Sequence, residues 1–545
     1  GGGGGGGGGA NVGTEDLANL LRNSIFYVTK KRTVSNLLER TVTQAKKADD
    51  EYDYPEDLPQ VLLNRPKAAS GRNRENVFAR LSLSLFGQLF EELHFIDPSL
   101  LRLGYTHPMD DGQERTFKVK FEGEGVDDYG GPYREIFGQL AGELQMLVGD
   151  VGYLKNKGGR AVGAGVATDQ SLDGGNRLVE LKCMLPLLCP TRNWRVETGE
   201  DVGGEERRGR NNDSNEEGGS NYAADNSGGR FVPNPDLTNH IYLEMFSFLG
   251  KIIGVALRSR ICTKFRFPPF VWKAIVGEKA DAEDLKTFDE AAFSVAKEVQ
   301  KMGDEISAAI TFVKLKKDIA KADKEKEVRD LAGKFTSLTG EIKWVTTLSN
   351  GKQENLCKNG FDRLVTVDNY KEFVHEMVQC RLHESDTQLK AIRGGFVSIV
   401  PDTVLPLLSC AELELLVCGK EGVDIDLLQE NTEYDDDVSP DDEHILSFWR
   451  VMRGFDDDDR SQLLKFVWAR ERLPNSSAEF HQRFKIQASA RPDPDTYLPK
   501  AHTCFFSLNL PRYSTDEVMK EKLLYAIYNC IEMDADFKLA DSENS

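Results

Sequence analysis

None of the nine cysteines stands in a C-x-x-C pair or at a zinc-like spacing from a histidine. That excludes the common zinc modules and a thioredoxin-type dithiol. An odd, scattered set reads as reduced thiols of an intracellular protein rather than a disulfide framework. Long apolar runs are also missing. None reaches the ~18 residues needed to cross a bilayer, and the best, Phe248 to Leu257, is interrupted by Lys251. Membrane insertion is therefore not expected, no secretory signal is visible, and cytoplasm or nucleus is the expected location. Positive charge is in deficit, with 69 Lys and Arg against 89 Asp and Glu, net −20. This argues against binding a nucleic-acid backbone and favours solubility and basic partner surfaces. A solvated acidic surface without any special partner satisfies the same numbers.

With 545 residues, the chain exceeds the ~250–300 at which one core usually divides, so two to four domains are expected. It opens with nine glycines and no Met, as expected of either a fragment or a processed product, and that start carries no fold argument. Residues 1–75 are expected to be flexible or weakly structured, with a linker near 52–65 marked by Pro55 and Pro59. Leu81, Leu85, Leu89 and Leu93 repeat every four residues and predict a helix over 77–93. Phe117 to Phe121 alternates like a strand and runs into a glycine-rich stretch, Gly123 to Pro132. No G-K-[ST] follows, and its three acids would repel phosphate, so it reads as a structural turn.

Two low-complexity inserts, 157–176 and 196–230, are expected as surface excursions. After Asn239, the residues Ile241, Met245, Phe248, Ile252 and Ala256 form the stripe of a core helix. The acidic, aperiodic segment 432–439 is the expected domain boundary, with Ser439 as N-cap and Pro440 opening the next helix. Ser514 to Glu517 predicts the capped start of a final helix.

One thiol stands out. Cys504 lies in Leu498-Pro499-Lys500-Ala501-His502-Thr503-Cys504-Phe505-Phe506, between Pro499 and Pro511. A lone cysteine is usually a small buried hydrophobe, but here the prolines restrict the backbone. Phe506, Leu508 and Leu510 alternate with Ser507 and Asn509, so one strand face can anchor in a core while the thiol sits at the strand's entry. A thiol on a rigid turn suits a carrier that accepts an acyl group and passes it on. His502, two residues earlier, would share a face with Cys504 in an extended segment, the backbones ~6.5 Å apart. Its imidazole would either promote the thiolate, whose free pKa is about 8.5, or hydrogen-bond the loop. A Cys/His hydrolase also needs an orienting Asn or Asp and an oxyanion hole, and no candidate for either is evident. An acyl carrier, a hydrolase and a silent scaffold with a structural Cys504 all remain open on these residues.

Several blocks occur in a telling order: F-E-G-E-G-V-D-D-Y-G-G-P-Y-R-E from Phe121, E-L-E-L-L-V-C-G from Glu412, L-L-K-F-V-W-A-R-E-R-L-P from Leu463, L-P-K-A-H-T-C-F-F-S-L-N-L-P-R-Y-S from Leu498, and V-M-K-E-K-L-L-Y-A-I from Val518. From about Val77 to Phe537 the chain resembles the HECT-type ubiquitin ligases, most of all their large HERC-like branch. The resemblance implies a bilobal α+β fold: a large, mainly helical N-lobe at 76–431, a hinge at 432–439 and a small α/β C-lobe at 440–545. It implies that Cys504 is the thioester-forming nucleophile, with His502, Thr503 and Phe505 in the supporting catalytic loop. A subdomain near 280–358 would dock the conjugating enzyme, with Phe293 either on that surface or in the core. The implied partners are a ubiquitin-charged conjugating enzyme, ubiquitin and protein substrates, and no cofactor or metal is required. Departures are the longer, more charged 305–340 region and the extra stretch after Phe537, where the family's tail often ends.

Overall fold

The computed structural model describes residues 22, 24–47, 53–108, 112–124, 128, 130–148, 182–193, 229–317, 320–480, 482–489 and 492–529, with Cys504 described by its backbone. The inserts expected at 157–176 and 196–230, apart from Gly229 and Arg230, and Phe537 lie outside these residues. Helices and short strands together make an α+β arrangement. The buried side chains fall into two clusters, one running from Val34 to Cys418 and the other from Val423 to Ile527.

The first cluster is organised by the helix His240–Arg258, which packs against the helix Asp386–Ile399. The two backbones nearly touch. A Cβ placed on Gly250 would lie 1.9 Å from the Ile392 carbonyl oxygen, and one on Gly395 would lie 1.7 Å from that of Ser247. Only glycine permits this approach. The stripe expected after Asn239 is buried from Met245 onward, whereas Ile241 is 39% exposed, and the apolar segment is longer than expected. This 19-residue helix is long and apolar enough to cross a membrane, because Lys251 does not break it. Lys251 Nζ donates to the His94 carbonyl at 2.6 Å inside the core, where the whole middle of the helix is buried.

Residues 24–47 and 53–75 are not the weakly structured region expected. The helix Tyr27–Arg40 buries Val34 and holds Lys30, also buried, against Glu412 at 2.8 Å. The supposed linker contains the strand Gln60–Leu63, paired in parallel with Lys118–Phe121. The long predicted helix is two, Val77–Leu83 and Leu85–Leu93, divided at Ser84, whose hydroxyl caps the second by accepting from Gly87 N at 2.9 Å. In the glycine-rich stretch, of which residues 125–127 and 129 lie outside the described residues, Asp128 is buried. Its carboxylate accepts from the backbone N–H groups of Val119, Gly130 and Tyr133 and pairs with Arg115 at 3.3 Å. The helix Gly131–Gln145 starts from it, with Gly130 at φ 105°.

The second cluster surrounds a four-stranded sheet in the order Lys500–His502, Ser507–Pro511, Phe484–Ser489, Thr432–Tyr434. The first pair is antiparallel and the other two are parallel. Helices Glu443–Arg453, Asp457–Trp468 and Asp516–Asn529 pack on it. The joint expected at 432–439 therefore falls inside this body, because Thr432–Tyr434 is a sheet strand and Val423, Ile425 and Leu428 already belong to the cluster. The change of core lies between Cys418 and Val423, where Gly419 and Gly422 adopt φ of 71° and 76°. Ser439 is not the N-cap either. Asp442 takes that place before Glu443, and its carboxylate instead accepts from Ser439 N at 3.1 Å.

Gly250→Ala forces a Cβ into a carbonyl and is expected to cost about 3 kcal/mol or more. Gly142→Ala, exposed on a helix with open space around it, is expected to add about 0.4–1 kcal/mol. Denaturant midpoints at constant slope measure both.

Candidate active site

Strands Lys500–His502 and Ser507–Pro511 pair in register, with His502 opposite Ser507. Between them Thr503, Cys504 and Phe505 form one 3₁₀ turn, and Phe506 completes the reversal at φ 43°, ψ 51°. A left-handed conformation costs a non-glycine residue about 1–2 kcal/mol. The Phe506 ring is wholly buried, which returns about 1.5–3 kcal/mol. It also stacks on Trp468 at 4.1 Å and 7° between planes, worth about 0.5–1.5 kcal/mol more. Burial wins, so the turn is held by the residue that follows it. Phe480 stacks on the same indole, and Phe484 lies 5.0 Å from the Phe506 ring. Phe505 is 65% exposed and His502 is exposed as well. The backbone of Cys504 thus sits in a turn whose following ring is anchored and whose adjacent ring is offered outward.

The geometry changes two expectations. His502 ends a strand and Cys504 lies in a 3₁₀ turn, so the extended segment that would have put them on one face does not exist. Phe293 is 6% exposed within the first cluster, with Lys297 Nζ 4.3 Å from its ring centre. Its burial matches the core alternative, because its helix, Glu290–Leu315, turns that position inward together with Ala296, Val299 and Ile306. Thr503 and Phe505 share one 3₁₀ turn with Cys504.

Other thiols are disfavoured as nucleophiles. Burial pushes Cys380 up to about 11 and Cys189 and Cys410 up to about 12, and it also raises Cys262 and Cys418. Such thiols stay protonated and inert at neutral pH.

The turn also meets the first cluster. Arg134, on the helix Gly131–Gln145 and 1% exposed, donates from Nη2 to the Thr503 carbonyl at 3.1 Å. Arg470, just past the Trp468 helix, donates to Gln113 Oε1 at 2.9 Å, with its guanidinium 4.3 Å from the Trp468 ring centre. Arg472 donates to the carbonyls of Cys418 and Gly419 at 3.0 and 3.1 Å. None of these cations was singled out from sequence. The available signal was a charged residue inside an otherwise apolar block, as in P-Y-R-E-I-F and V-W-A-R-E-R.

Residues 217–536 match the sequence pattern of the HECT-domain (ubiquitin-transferase) family, well over half of the chain. The chain belongs to the HECT-domain family. Among curated relatives, the E3 ubiquitin-protein ligase HERC2 of Mus musculus is 28% identical over 481 residues, covering 88% of this chain and 8% of the relative. The probable E3 ubiquitin-protein ligase HECTD4 of Homo sapiens is 24% identical over 533 residues, 94% of this chain and 11% of the relative. The TOM1-like E3 ubiquitin-protein ligase of Neurospora crassa is 31% identical over 296 residues, 53% of this chain and 6% of the relative. This HECT chain therefore spans only a small part of the length of the relatives it matches.

Phe506→Ala is expected to cost about 3–5 kcal/mol by removing a fully buried ring. Phe505→Ala is expected to stay within about 0.5 kcal/mol. Chemical denaturation followed by tryptophan fluorescence compares them, since Trp468 reports the stack directly.

Proposed function

We propose that this chain is the transferring part of an E3 ubiquitin-protein ligase and that Cys504 carries ubiquitin as a thioester. The observation that supports this most is the hairpin turn at Thr503–Phe505. It holds the Cys504 backbone rigidly through buried Phe506, while exposed His502 and Phe505 flank it on a surface a protein can reach. In the first transfer, the Cys504 thiolate attacks the thioester carbonyl on the conjugating enzyme, and that enzyme's thiolate leaves. One thioester replaces another, so the step is close to thermoneutral and needs mainly an accessible, ionised nucleophile. In the second, the neutral amine of a substrate lysine attacks the new thioester. An amide forms, the Cys504 thiolate departs and the amine gives up its proton. The ordinary lysine pKa of about 10.4 makes a nearby carboxylate useful for that proton. No metal or organic cofactor takes part in either step.

In this reading the two clusters are the N-lobe and C-lobe, and the glycine-bounded segment 419–422 is the joint between them. Partners are the charged conjugating enzyme, ubiquitin and protein substrates, in cytoplasm or nucleus. Polar contacts made by Arg134, Arg470 and Lys31 span the two clusters, and polar interfaces are usual between domains that move relative to one another. A hydrolase has less support, because it needs an imidazole on the thiol and the extended His502–Cys504 segment is absent.

A non-reducing gel tests the central claim. With activating enzyme, conjugating enzyme, ubiquitin and ATP, the chain should form a thiol-sensitive adduct, Cys504→Ala none, and Cys504→Ser an ester that resists reductant. An equally strong adduct on Cys504→Ala would reject the assignment. For the joint, the double variant Lys420→Pro and Glu421→Pro is expected to slow multiple-turnover transfer about tenfold without lowering the melting temperature. Unchanged turnover would place the motion elsewhere.

A further inference from the structure

We propose that Arg134 is a positioning residue for discharge of Cys504: it docks the Cys504 turn on the N-lobe in the arrangement that hands ubiquitin to an amine. This rests on the thioester role given to Cys504. A guanidinium that is 1% exposed is costly to bury unless it is paired and hydrogen-bonded. This one reaches out of its own lobe to a main-chain carbonyl, that of Thr503, 3.1 Å away. Thr503 immediately precedes Cys504, and its carbonyl also accepts from Phe506 N at 3.5 Å, so the bond from Arg134 falls on the peptide that sets the turn.

The neighbouring acid is occupied by other groups. Glu135 is served by Arg65 at 2.8 Å and by Gln139 at 2.7 Å. Tyr133, on the other side, is fully buried and donates or accepts with Ser259 Oγ at 2.8 Å, which fixes this end of the helix. Arg134 is thus presented from a rigid base.

The contact can exist only while the C-lobe rests on the N-lobe, so it can favour only steps that occur in that arrangement. The crevice beside Arg134 is lined by Glu135 and Glu471 together with the cations Lys264, Lys465 and Arg470. His502 and Phe505 remain exposed in the docked state, so the turn is pinned without being covered.

Single-turnover measurements on the full chain separate the steps. A ubiquitin-charged conjugating enzyme loads wild type, Arg134→Ala and Arg134→Lys. Supply is then stopped, and decay of the adduct is followed in excess free lysine. For Arg134→Ala, loading is expected within about twofold of wild type and discharge about tenfold or more slower, with Arg134→Lys between the two, since misplacement of a reacting group costs up to about a hundredfold. Should Arg134→Ala lower the melting temperature, Arg134→Met keeps the volume filled and must show the same split. Discharge at the wild-type rate, or equal loss of loading and discharge in a stably folded variant, overturns the role. Failure of wild type itself to form a thiol-sensitive adduct would instead remove the Cys504 assignment, so the two failures are distinguishable.

Discussion

Direct backbone contact between helices His240–Arg258 and Asp386–Ile399 is the constraint from which the rest is built. Gly250 and Gly395 let each helix rest against the other's carbonyls, and that contact fixes where the first helix ends. Just past its end, the Ser259 carbonyl accepts from Gln113 at 2.9 Å and its hydroxyl bonds Tyr133. Gln113 in turn receives Arg470 from the second cluster, and Tyr133 stands next to Arg134, which reaches Thr503. Two of the polar contacts that seat the Cys504 turn therefore trace back to one helix terminus. A shift of that helix would move both together.

The second cluster contributes a stack of rings. Phe480, Trp468 and Phe506 lie nearly parallel, at 8° and 7° between successive planes, and the Arg470 guanidinium sits against the same indole. The ring that locks the reversal after Cys504 and the cation that meets Gln113 thus share Trp468. Local and interlobe geometry are coupled through one side chain, although each is satisfied by different chemistry: burial for the ring, hydrogen bonds for the guanidinium.

Much of this was legible in the chain and some was not, for physical reasons. The core helix after Asn239 and the last helix declared themselves by periodicity and by polar starts, which are local properties. Cys504 was conspicuous because prolines and alternating apolar residues surround it. The 3₁₀ turn was missed because nothing local forces it. Phe506 enters the left-handed region only because Trp468 and Phe484 are there to receive its ring, and those lie far away in sequence. The joint was misplaced for a related reason. The acids at 432–439 look like linker, yet Thr432–Tyr434 gains a partner in Phe484–Ser489, and strand pairing outweighed weak local preference. The helix Tyr27–Arg40 looked polar because Lys30 anchors it to Glu412 rather than an apolar face alone, and Arg22 ahead of it donates to the Leu408 carbonyl.

The same contrast bears on how the two clusters meet. Within each cluster the contacts are apolar and close-packed, so neither yields easily. Hydrogen bonds and an ion pair run between them: Arg134 to Thr503, Arg470 to Gln113, and Lys31 to Glu479 at 2.6 Å. Water can replace such bonds when the surfaces part, so each contributes only a modest net free energy, about 0.5–1.5 kcal/mol and up to about 3 for those to charged groups. A few of them are enough to set one orientation and too few to prevent its release. An interface of this kind suits the proposed transfer, in which docking supplies geometry rather than strength. Arg134 fits that description, because its bond falls on the peptide next to Cys504.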